Sequence, residues 1–90
     1  METQPSRIAV IGIIVEDPES VEKLNAILHD YSAYILGRMG IPYREKNMSI
    51  ISIVMDAPAN EISALSGKLG MLPNVSTKTV YSKVTSSAQD

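Results

Sequence analysis

The sequence predicts an α+β sandwich in which a four-stranded antiparallel sheet carries two helices on one face. Two runs, residues 7–16 (RIAVIGIIVE) and 49–56 (SIISIVMD), are rich in Ile and Val and too short for helices, so they read as strands. Two other stretches repeat apolar residues at steps of three and four, the spacing of one helix face. With a hairpin at the centre, the order is β-α-β-β-α-β, that of the split β-α-β sandwich.

Local chemistry supports each element in turn. After the first strand comes Asp17-Pro18-Glu19. Asp17 suits a helix cap, Pro18 a first turn, and Glu19 and Glu22 the positive end of the dipole. The spacing predicts a helix over about residues 18–36. Val21, Leu24, Leu28, Tyr31 and Ile35 form its stripe, Ile27 and Tyr34 widen it, and Gly37 suits a left-handed cap. Residues 37–48 (GRMGIPYREKNM) hold two glycines and Pro42, which forbid a helix. They are expected to form a kinked edge strand, with Glu45-Lys46-Asn47 as the hairpin turn. The strand at 49–56 follows. Asp56-Ala57-Pro58 opens the second helix, with Pro58 early in it, Ile62, Leu65 and Leu69 as its buried stripe and Gly70 as its stop. Leu72-Pro73-Asn74 is a turn, and residues 75–84 (VSTKTVYSKV) are the last strand. Residues 1–6 read as a loose leader and 85–90 (TSSAQD) as a frayed tail, leaving a ferredoxin-like domain over 7–84.

Composition narrows the function. Ninety residues, 44% apolar and 20% charged, make one small folded domain. The absence of cysteine excludes disulfides, thiolate nucleophiles and cysteine-ligated clusters in this chain. A net charge of −2 argues against a nucleic-acid footprint, and Lys68, Lys78 and Lys83 are scattered without interleaved aromatics. No direct nucleic-acid contact is therefore expected. No apolar run reaches the length of a membrane span and no signal peptide is visible, which predicts a cytoplasmic protein away from the membrane.

The strands carry the strongest inference. A sheet with helices on one side and water on the other should alternate apolar and polar residues. These strands are apolar on both sides. Ile8, Val10 and Ile14 oppose Ala9, Ile11, Ile13 and Val15, and Met48, Ile50 and Val54 oppose Ile51, Ile53 and Met55. Two helices shelter one face only, and the loops are too short to shelter the other. A second copy of the chain is the simplest cover, so a homo-oligomer, dimer or tetramer, is expected.

Catalytic constellations are absent. The one histidine, His29, lies on the first helix beside Asn25, Ser32 and Ala33, which are poor ligands, so no metal site within the chain is expected. A surface or interface imidazole is the simplest reading of His29. The glycines at 37, 40, 67 and 70 match neither dinucleotide nor phosphate-loop spacing. Gly67 lies mid-helix, where it suits close packing. Arg38, Gly40, Tyr43 and Arg44 cluster in the glycine-rich connection. Arginine beside flexible backbone can hold a carboxylate or phosphate, and it can equally guard a solvated edge strand. His29, Arg38, Gly40 and Tyr43 are the candidate ligand-binding residues. Met39, Met48, Met55 and Met71 read as core filler. Nothing in the sequence indicates a cofactor.

Residues 27–56 (ILHDYSAYILGRMGIPYREKNMSIISIVMD) and 61–80 (EISALSGKLGMLPNVSTKTV) resemble a small bacterial family, the iron-only hydrogenase system regulators. Gly37-Arg38-Met39-Gly40-Ile41-Pro42 and Leu65-Ser66-Gly67-Lys68-Leu69-Gly70 carry most of the resemblance. It implies an ACT-like, ferredoxin-like fold, similar to the sensing domain of the nickel-responsive repressor, and a regulatory role in the [FeFe]-hydrogenase system. It brings no catalytic residues. The repressor's DNA-reading segment is not expected here, because about six residues precede the first strand. Its nickel ligands, several histidines and a cysteine, have only His29 as a counterpart. At the ligand turn of ACT domains this chain has Glu16-Asp17-Pro18-Glu19, without the usual glycine.

The expectation is a non-enzymatic sensor or regulatory module that binds a small effector or a partner protein. The alternatives are a dimeric ferredoxin-like barrel enzyme, which needs an enclosed pocket around His29, and a purely structural interaction domain.

Overall fold

A computed structural model of the chain describes residues 5–83. The expected tail, Val84 of the expected last strand and residues 1–4 of the expected leader lie outside the described residues. The elements are β1 (Ser6–Val15), α1 (Glu19–Asp30), β2 (Ile35–Tyr43), β3 (Met48–Pro58), α2 (Ala59–Gly70) and β4 (Val75–Tyr81). The sheet order is β2-β3-β1-β4 and every pair is antiparallel, so the fold is the predicted ferredoxin-like sandwich.

The core lies between the sheet and the two helices. Ala9, Ile11, Ile13 and Val15 of β1 and Ile51, Ile53 and Met55 of β3 face Leu24 and Leu28 of α1 and Ile62, Leu65 and Leu69 of α2, all of them buried. The predicted stripe of α2 is thus the observed one. Asp17 caps α1 as expected, its carboxylate accepting the Glu19 N–H at 3.0 Å. Ser20, 2% exposed, donates its hydroxyl to the Pro73 carbonyl at 2.8 Å and so ties the start of α1 to the turn before β4. At the other end of α1, the Lys68 ammonium of α2 sits 5.0 Å from the Tyr31 ring centre. A hydrogen bond to Tyr31 and its nearby charge push the Lys68 pKa up from 10.5.

Three local expectations are corrected. First, α1 stops at Asp30 instead of continuing to Leu36. Tyr31 leaves the helical region (φ −110°, ψ 14°), and one 3₁₀ turn, Ser32–Tyr34, leads to Ile35, which pairs with Met55 of β3. Residues 31–36 suit either the helix stripe or a strand, and the ladder to β3 decides between them. Gly37 is therefore no helix cap: it lies in β2 beside a register shift between Ile35 and Gly37. The left-handed positions belong to Asn47 (φ 53°) and Asn74 (φ 58°), each closing a turn. Second, β3 runs on to Pro58, whose ψ of 146° is extended, because Ala57 and Pro58 pair with Arg7 and Ser6. Pro58 precedes α2 instead of sitting inside it. Third, Gly67 packs against nothing: a Cβ there would meet no atom within 4 Å. Of the methionines expected as filler, Met55 is core, whereas Met39 and Met71 are 62% and 85% exposed.

Candidate functional site

Two open surfaces of this fold carry the exposed apolar residues and the candidate site residues His29 and Arg38, and β2 borders both. The first is the sheet face opposite the helices. The ladders place Ile41, Ile50, Ile14 and Ser76 in one row, Met39, Ser52, Gly12 and Lys78 in the next, and Gly37, Val54, Val10 and Val80 in a third. The large apolar members are uncovered: Ile8 37%, Val10 38%, Ile14 41%, Ile50 41%, Ile41 54%, Met39 62% and Val80 67% exposed. The small residues Gly12 and Ser52 leave a hollow of about 370 Å³ beside the Ile14–Ile50 ridge, with Lys78 at its margin. The two-sided pattern of β1 and β3 is therefore real, and no described element covers the second side.

The second surface is a groove between α1 and β2, on the helix side. It is lined by Asn25, Leu28, His29, Ser32, Ile35 and Arg38 and has a volume of about 370 Å³. Helical spacing puts Asn25, His29 and Ser32 on one flank of α1. Strand alternation turns Arg38 toward them, since Arg38 pairs with the buried Ile53. The Arg38 guanidinium donates to the Asn25 side-chain oxygen at 3.0 Å. Leu28, buried, and Ile35, half-buried, give the groove an apolar floor.

The four candidate residues thus separate. His29 and Arg38 share the groove, which is open to solvent, with both residues exposed. Gly40 lies on the same face of β2, one alternation further on, where a Cβ would meet Ile51 at 3.9 Å. Tyr43 sits at the far end of β2 in a smaller hollow of about 140 Å³ shared with Val15, Pro18, Pro42 and Arg44. Its hydroxyl donates to the Glu45 carboxylate at 2.9 Å. Sequence reasoning noted Asn25 and Ser32 only as poor metal ligands; their part as hydrogen-bonding walls appears once β2 folds back along α1.

Among the described residues, no group of three or more His, Asp or Glu side chains could hold a metal ion. No described helix is long and apolar enough to cross a membrane.

Comparison with known proteins places this geometry. No curated protein matches the chain. Among solved structures, the uncharacterized protein TM1266 from Thermotoga maritima is 40% identical in sequence and superposes with a TM-score of 0.83, the match covering 87% of this chain and 99% of that one. Residues 7–79 match the TM1266-like family, described as "Iron-only hydrogenase system regulator, putative". A match over that span takes in both helices, β2, β3 and all but the outer ends of β1 and β4, and on it the chain belongs to the TM1266-like family.

Proposed function

We propose that this protein is a non-enzymatic regulatory module of the iron-only hydrogenase system that works in the cytoplasm as a homo-oligomer and responds to a small effector. The observation that carries the reading is the uncovered apolar sheet face. Ile8, Val10, Ile14, Ile50 and Val80 lie on one face and are each at least 37% exposed, an apolar patch of the kind that marks an interaction surface, and a two-fold copy is the most economical cover. The effector site in this reading is the groove of His29 and Arg38, with Gly40 and Tyr43 further along the same strand. The net charge of −2 supports an indirect route to transcription, in which a partner protein reads the DNA.

The test is the mass in solution. Size-exclusion chromatography with light scattering at micromolar concentration should give at least twice the 9.8 kDa chain mass. A clean monomer under those conditions removes the assembly from the proposal.

A further inference from the structure

We propose that the groove between α1 and β2 binds a small organic carboxylate with a short apolar chain. The inference rests on the effector-sensing reading above and names the chemistry of its ligand. Three observations support it. The polar lining is made of donors and amides: the Arg38 guanidinium, the His29 imidazole, the Ser32 hydroxyl and the Asn25 amide. No carboxylate lines the groove, although acidic residues outnumber basic ones by 10 to 8 in the chain. An anion entering it therefore meets cationic and neutral groups only.

The guanidinium is also held in place. Among the described residues it donates to Asn25 alone, at 3.0 Å, a neutral acceptor that orients the fork and does not neutralise its charge. A planar guanidinium with donors to spare matches the two oxygens of a carboxylate. Specificity for a chain behind the carboxylate comes from the floor. Leu28 and Ile35 offer apolar contact below the polar rim, so an inorganic anion satisfies half of the groove and an apolar amine satisfies the other half.

The test is a ¹H–¹⁵N NMR titration of the full chain with isovalerate, acetate, inorganic phosphate and isobutylamine, with melting temperatures recorded in parallel. Isovalerate should move the amides of residues 25–38 and bind more tightly than acetate or phosphate, and isobutylamine should move none of them. Arg38→Gln, an exposed substitution, should keep the melting temperature of the free protein and weaken isovalerate roughly tenfold to a hundredfold, the usual worth of a hydrogen bond to a charged group. His29→Ala should weaken it less. Phosphate binding as tightly as isovalerate, or unchanged isovalerate affinity in Arg38→Gln, overturns the proposal. If a nucleotide or divalent metal raises the melting temperature while isovalerate leaves the groove unmoved, the carboxylate is wrong and the sensor reading survives. If no probe of any class binds, both fall.

Discussion

Ile13 and Ile14 are neighbours in β1 that point to opposite sides of the sheet, 1% and 41% exposed. Replacing each with aspartate separates folding from assembly. At Ile13 the substitution forfeits about 1.5–3 kcal/mol of side-chain burial. It also leaves a carboxyl group in the core, which adds about 1–3 kcal/mol even when protonated. The total stability expected of a chain this size is about 5–13 kcal/mol, so Ile13→Asp removes between a fifth and all of it, with the upper end set by the charge. At Ile14 the isolated subunit already leaves 41% of the residue in water, and the same arithmetic gives about 1–2 kcal/mol, a loss the fold survives. If two copies meet through this face, two-fold symmetry would bring a second Ile14→Asp charge to the same apolar contact. Circular dichroism and light scattering read the two effects apart. Ile13→Asp should melt far below the parent or lose cooperative melting altogether. Ile14→Asp, and Val10→Asp as its repeat, should melt cooperatively with the mass of one chain. Ile14→Asp that keeps both the mass and the melting temperature of the parent, or one that unfolds as Ile13→Asp does, would refute the division of the sheet into a core face and an assembly face.

Two further outcomes concern stability alone. Gly67→Ala in α2 should stabilise by about 0.5–1 kcal/mol in urea melts, because open space surrounds the added methyl and the unfolded chain loses freedom; destabilisation would indicate a neighbour there in the assembled protein. Ser20→Ala should cost about 0.5–1.5 kcal/mol, the net worth of the hydrogen bond to the Pro73 carbonyl, and Ser20→Thr should recover part of it.

The strand faces were the most legible part of this fold. In β1 and β3 core residues alternate with a second set that is mostly apolar, Ser52 and Asp56 excepted, so sequence alone separated the two sheet faces. The stripe of α2 was equally plain, because Ile62, Leu65 and Leu69 have no competing periodicity. The end of α1 was not legible. Tyr31 and Ile35 continue the helical spacing, and only the pairing of Ile35 with Met55, twenty residues on in the chain, turns that segment into a strand. The groove suffered from the same ambiguity: with the helix carried on to residue 36, Arg38 stands well beyond His29, whereas the early stop folds β2 back so that Arg38 reaches Asn25. Gly67 misled because a mid-helix glycine has two explanations, close packing and mere tolerance, and sequence cannot weigh open space.

Arg38 and Met39 are consecutive residues of β2, one turned toward the groove and the other toward the bare side of the sheet. A single layer of backbone separates them, and β2 is an outermost strand, held laterally by β3 alone. Whatever tilts this ribbon to grip a guest on one side must carry Met39 and Ile41 with it on the other. In the sensor proposed here, occupancy of the groove and packing against the bare side would share one mechanical lever, one strand thick.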